Sequence, residues 1–208
     1  MILDLHNHSV ASDDARAKVE NYCQWIARRE LPLDGFVLSE HRQFDTVADY
    51  RGLEDRFGLL IMKASEVETE YGHVLVFGVN EDLRAAFDFS SVNLSLEAVL
   101  RDAERCGAIA VPCHPGRPRV GMSAHFETLG PVDGVTIVET LNGGSRGTEN
   151  EIAIELAEQR GYRGIGGSDA HIVSHIGRCA TSIEREIRSI DDLVCALKEG
   201  DCEAVSYQ

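Results

Sequence analysis

Short apolar runs alternate along the chain with amphipathic segments. The runs cover 2–5, 36–39, 59–64, 108–112, 135–139, 164–167 and 180–183. Most are continuously apolar, as in strands covered on both faces. Between them, Val19, Tyr22, Cys23 and Ile26 form one helical stripe, and Leu96, Val99, Leu100 and Ala103 form another. Ile152, Ile154 and Leu156 lie in a third helical segment, which Gly161 closes. Ser189-Ile190-Asp191-Asp192 opens a last helix with a capping-box pattern, and Gly200 ends it. A further strand, 73–79, follows the third run across only Thr69-Glu70-Tyr71-Gly72, a spacing that suits a hairpin. Elsewhere the order β-α-β-α predicts a parallel sheet. About seven such strands in one α/β domain spanning 1–208 predict a small, distorted barrel, with an open doubly wound sheet as the competing arrangement. Residues 115–131, rich in Gly and Pro, are expected to form a long loop over its mouth.

Six of the eight histidines stand where these strands run out, beside acidic residues. The positions are His6-Asn7-His8, Glu40-His41, Glu66, His73, Cys113-His114 and Asp169-Ala170-His171. Sites in parallel α/β folds lie at the carboxyl ends of strands, so residues far apart in sequence are expected to meet there. His6 and His8 face the same side of an extended chain, and Asp169 and His171 repeat their spacing. The hairpin returns His73 to the end where Glu66 finishes. Imidazoles and carboxylates gathered in this way predict a cluster of divalent metals. Asp13 and Asp14 precede a helical segment; either can cap it, leaving the other free for the cluster. Cys113 beside His114 has the look of a nucleophile, but a small apolar side chain filling a strand end is the expectation.

Composition narrows the classes. The chain is 43% hydrophobic and 26% charged, as in ordinary globular proteins. Neither a membrane-spanning run nor a signal peptide is visible, so a cytoplasmic location is expected. The six cysteines form no C-x-x-C pair and are expected to be reduced. The net charge of −15 argues against an extended nucleic-acid surface, while a small phosphate ester held by metals remains compatible.

These motifs resemble the PHP (polymerase and histidinol phosphatase) family of metal-dependent phosphoesterases. The likeness runs from Asp4-Leu5-His6-Asn7-His8-Ser9 through Gly167-Ser168-Asp169-Ala170-His171 to Ile176-Gly177-Arg178. It implies a distorted (β/α)7 TIM-like barrel and a three-metal site. His6, His8, Glu66 and Asp169 would hold one ion. Asp13, His41 and His171 would hold a second. Glu66, His73 and His114 would hold a third, with Glu66 bridging. One motif departs from the family, where Thr-Asp-His-Asp is usual and Ser39-Glu40-His41-Arg42 stands here.

The expected reaction is hydrolysis of a small phosphate monoester by metal-activated water, with two or three zinc, manganese or iron ions as cofactors. Glu66 is the expected central catalytic residue, and His175 is a candidate acid for the leaving group. Arg117 and Arg178 are candidate phosphate ligands. The rivals are a 3′-5′ exonuclease-type phosphodiesterase and a non-catalytic metal-binding module.

Overall fold

Nine strands carry the architecture in the computed structural model, which describes residues 1–207. They are β1 (Ile2–Asn7), β2 (Gly35–His41), β3 (Leu60–Thr69), β4 (Gly72–Phe77), β5 (Ile109–Pro112), β6 (Ile137–Asn142), β7 (Arg163–Gly167), β8 (Cys179–Ile183) and β9 (Cys202–Ser206). Seven helices connect them: α1 (Val19–Arg29), α2 (Arg51–Phe57), α3 (Glu81–Ala86), α4 (Leu96–Arg105), α5 (Phe126–Leu129), α6 (Glu149–Arg160) and α7 (Ile190–Glu199). Eight of the strands coincide with the apolar runs. The half-exposed β9 escapes that pattern. The 115–131 segment holds α5 and a short 3-10 turn, Met122–His125, so it is more ordered than a plain loop.

The expected closed (β/α)7 barrel is not what forms. Seven strands make an open, curled sheet in the order β5-β4-β3-β2-β1-β8-β9, and β6 and β7 pair separately. Strands β1, β2 and β3 run parallel, as predicted. The predicted hairpin is present: β3 and β4 are antiparallel, with Glu68 opposite His73. Strand β8, however, runs antiparallel to β1, and β9 antiparallel to β8.

The reason lies in how β1 is shared. Its first half pairs with β8 through Ile2 and Leu3. Its second half turns to the segment after β7, where Asp169 N donates to His6 O at 2.7 Å and His8 N donates to Ala170 O at 2.9 Å. The Asp4 carboxylate fills the fork, accepting from Ser168 N at 2.8 Å and Gly177 N at 2.9 Å. Burial outweighs these bonds and pushes its pKa up to about 6. Between β7 and β8, one side chain stands in for a ladder. Thr181 Oγ1 donates to Gly166 O and accepts from Gly166 N, both at 2.9 Å.

The inner core runs along the concave face, from Leu3 and Leu5 through Val37, Ala64, Leu75, Phe77, Val111, Ile137 and Ile165 to α7. Two further apolar layers lie outside, one under α4 and α6 and one under α1. In α6 the packed residues are Ala153, Leu156 and Ala157, whereas Ile152 and Ile154 stay partly exposed, so the helix is rotated from the stripe read in sequence. Gly161 and Gly200 end α6 and α7 with positive φ, as expected of C′ glycines. Among the described residues no helix is long and apolar enough to cross a membrane.

The β7–β8 seam is closely fitted. A Cβ on Gly166 would stand 2.3 Å from Ala180 O, a backbone atom that cannot yield without opening the seam. Gly166→Ala is expected to cost about 1–3 kcal/mol. A lower denaturant midpoint with an unchanged slope would record this; an unchanged midpoint would show that the seam is slack.

Candidate metal centre

Strand alternation carries the inner core upward into a polar cluster. On β2, Val37 is followed on the same face by His41. On β3, Met62 and Ala64 lead to Glu66. On β4, His73 precedes Leu75 and Phe77, and on β6 Ile137 leads to Glu139. Strand β1 would break this rule, because Leu3 and Leu5 line the core while His6 and His8 lie on the other set. A bulge between Asp4 and Asn7 shifts the register against β2 and turns both histidines inward. His114 and Asp169 lie just beyond β5 and β7 with positive φ, 32° and 52°, which re-aims each side chain.

Glu66 stands at the centre, with 1% of its side chain exposed. Its Oε2 lies 3.2 Å from His6 Nε2, 3.2 Å from His8 Nε2 and 3.1 Å from His41 Nδ1. Its Oε1 lies 2.7 Å from His73 Nδ1 and 3.2 Å from His114 Nε2. Glu68 instead pairs with Arg42, and Glu70 accepts from Leu96 N, so neither competes for this position. Asp169 Oδ1 closes the other side, 3.5 Å from His6 Nε2 and 3.3 Å from His8 Nε2. Burial alone would raise the pKa of Glu66; His6 and His73 outweigh it and hold the carboxyl well below the usual range. Burial likewise opposes charge on His8, yet Asp169 and Glu66 push its pKa up to about 9.

The second acidic ligand expected from the resemblance, Asp13, does not reach the cluster. It is exposed and paired with Arg42, while Asp14 Oδ2 lies 3.1 Å from His171 Nε2 and 3.4 Å from His41 Nε2. The variant motif accounts for the exchange. Arg42 takes the place of an acid and pairs with Asp13 and Glu68. Buried Glu40 accepts from Ser9 N and from Ser12 Oγ, bracing the turn that delivers Asp14.

Arg117 reaches the cluster, with Nη2 at 2.9 Å from both Asp169 Oδ2 and Asn142 Oδ1. Arg178 is turned aside, donating to Gly143 O at 3.2 Å. His175 ends a short 3-10 turn and is only partly buried. Burial, then Arg178 and His171, hold its pKa below the usual imidazole value. Cys113 is fully buried at the top of the inner core, and its sulfur also meets polar atoms: Sγ lies 3.3 Å from Glu66 Oε1 and 3.4 Å from His114 Nε2.

Glu139 was not among the candidates. Fully buried, it accepts from His6 Nδ1 at 3.0 Å, His114 N at 2.8 Å and Asn142 Nδ2 at 2.9 Å. It fixes the His6 ring so that Nε2 faces the cluster, the arrangement by which carboxylates orient metal-binding histidines. Its position, an acid ending an apolar run, was the available signal.

The donor atoms suit divalent ions. Ligands at about 2.0–2.3 Å around one tetrahedral ion sit roughly 3.3–3.8 Å from each other. Here His6 Nε2 and His8 Nε2 are 3.1 Å apart, and His41 Nε2 and His171 Nε2 are 3.4 Å apart. Three groups of donors meet closely: His6, His8 and Asp169; His8, His41 and His171; and His6, Glu66, Cys113 and His114. The cluster opens through a mouth of about 350 Å³ lined by Asp13, Asp14, His41, Arg42, Glu68 and His73.

Residues 147–202 match the family described as PHP-associated. No curated protein matches the chain. Several solved structures share its fold. PsfC from Pseudomonas syringae PB-5123 is 18% identical, with a TM-score of 0.71 over 99% of this chain and 91% of that one. A two-domain protein from Bacteroides vulgatus, containing a predicted PHP-like metal-dependent phosphoesterase, is 20% identical, with a TM-score of 0.67 over 99% of this chain. Endonuclease Q, in complex with a 27-mer duplex substrate bearing an abasic lesion, is 16% identical, with a TM-score of 0.70 over 98% of this chain. The chain spans 64% and 58% of the length of those two proteins.

Two substitutions test the geometry. Asp14→Asn is expected to weaken metal binding by about 10–100-fold or more, while Asp13→Asn leaves it near normal. The reverse order in a competition titration would return the role to Asp13. Glu139→Gln removes the charge that orients His6, and its metal affinity should fall over the same range while the far-ultraviolet circular dichroism stays native.

Proposed function

We infer that this chain, a PHP-family protein by its PHP-associated segment and its fold, is a metal-dependent hydrolase of small phosphate monoesters. The observation that carries the reading is the convergence of six histidines with Glu66, Asp14 and Asp169 in one cluster, of which Asp14, His41 and His73 line an open mouth. His6, His8, Glu66 and Asp169 would hold one divalent ion, Asp14, His41 and His171 a second, and Glu66, His73 and His114 a third. Zinc, manganese and iron all suit these N/O donors. Such ions supply Lewis acidity that activates water and neutralises phosphate charge.

The remaining work falls to the protein. Glu66 offers one oxygen to each half of the cluster and fixes their separation. Glu139 and the backbone carbonyl of Asp169 set the tautomers of His6 and His171. Arg117, bonded to Asp169 beside the donors, is placed to grip a phosphate oxygen. Arg178 fastens the Gly143 turn, which makes it the weaker phosphate ligand. His175 is retained only as a candidate proton donor at the rim. Residues 1–208 would form one catalytic domain.

The mouth favours a small ester. A volume of about 350 Å³ lies at the small end for ligand sites. Its rim carries Asp13, Asp14 and Glu68 against the single cation Arg42. A polynucleotide backbone would meet few compensating charges there. A second reading, cleavage of a DNA phosphodiester, is favoured by the structural likeness to Endonuclease Q.

A turnover screen separates them. Sugar phosphates, nucleotides and amino-alcohol phosphates are offered with zinc, manganese or iron, beside single-stranded DNA and an abasic duplex. Monoesters should be cleaved, and Glu66→Gln should lower turnover by orders of magnitude while remaining folded. Efficient DNA cleavage with inertness toward every monoester would make the second reading the better one.

A further inference from the structure

We propose that Cys113 is a thiolate ligand of the ion held beside Glu66, His73 and His114, and that it makes this position select zinc over manganese or magnesium. The inference rests on the cluster being a metal centre. Strand alternation on β5 points Ile109, Val111 and then Cys113 to the inner face. Cys113, one residue beyond β5, therefore shares the inner face with His41 at the end of β2 and Glu139 within β6. His114, the next residue, would face away in extended backbone. Its φ of 32°, unusual for a residue with a side chain, brings it back to the same face.

Two adjacent residues thus aim at one point. Around Glu66 Oε1 stand His73 Nδ1 at 2.7 Å, His114 Nε2 at 3.2 Å and Cys113 Sγ at 3.3 Å, with Sγ and His114 Nε2 3.4 Å apart. The two sulfur separations come near the roughly 3.5–3.7 Å expected between a thiolate and an N/O donor on one tetrahedral ion, whereas His73 and Glu66 stand at hydrogen-bond distance. A cysteine serving only as an apolar filler would turn its sulfur toward carbon. Here it faces a carboxylate oxygen and an imidazole nitrogen. Among the described residues, Cys113 is the cysteine that joins a close donor group, together with His6, Glu66 and His114.

Sulfur changes the choice of ion. Thiolate favours zinc and other thiophilic metals, whereas manganese and magnesium prefer oxygen donors. On binding, the S–H bond breaks, the sulfur lone pair forms the bond to the ion, and the proton leaves to solvent. No oxidant or reductant is involved. The competing arrangement is a neutral S–H···O hydrogen bond to Glu66 with no bond to metal.

X-ray absorption on the zinc-loaded, full-length protein distinguishes the two. A sulfur neighbour at about 2.3 Å is expected. It should be absent from Cys113→Ser and Cys113→Ala, and cobalt-loaded protein should lose its thiolate-to-metal near-ultraviolet band in both. The preference for zinc over manganese should fall by at least the roughly tenfold that loss of an outer partner costs. Bound zinc with only nitrogen and oxygen neighbours in the unsubstituted protein would overturn the ligation while leaving the metal centre intact. Failure of the protein to bind zinc, cobalt or manganese at all would overturn both.

Discussion

A carboxylate withdrawn from water is stable in its ionised form only where other charges or donors replace the lost hydration. Glu66 meets that condition with five imidazole nitrogens, three on one oxygen and two on the other. The constraint works in both directions. The histidines need an anion or a cation between them to pack so closely, and the carboxylate needs the histidines to remain charged. A site of this kind cannot be loosened at one ligand without exposing the others to an uncompensated charge.

What holds the ligands in place is a set of departures from regular sheet. The β1 bulge turns His6 and His8 to the inner face. The division of β1 between β8 and the segment after β7 brings Asp169 and His171 alongside them. Positive φ at His114 and Asp169 re-aims two more side chains. Regular structure supplies the layers, and local irregularity at the strand ends supplies the chemistry.

Much of this was legible in sequence, for identifiable reasons. The apolar runs and turn glycines marked eight strands and most helices, because burial on both faces leaves a simple pattern. The short Thr69–Gly72 connection made the β3–β4 hairpin readable, and with it the meeting of Glu66 and His73. Strand direction was not readable at β8. A short run of four residues looks the same in either orientation, and the fork at Asp4 depends on partners far away in the chain. The exchange of Asp14 for Asp13 depends on the packing of Arg42 and Glu40, which spacing does not encode. Glu139 was visible as a strand-end acid but lacked a neighbouring histidine to draw notice.

The mouth joins parts of the chain that lie far apart. His6 and Glu139 are 133 residues apart, and Asp14 and His171 are 157 apart. Contacts of such high order form only after long loops have closed, at a large entropic cost. A zinc finger uses its ion to nucleate folding, because its ligands are local. Here any short stretch offers only a stray chelating pair such as His6 and His8. Ion capture at such a centre would therefore follow the assembly of the sheet, and a loaded centre would certify a finished topology.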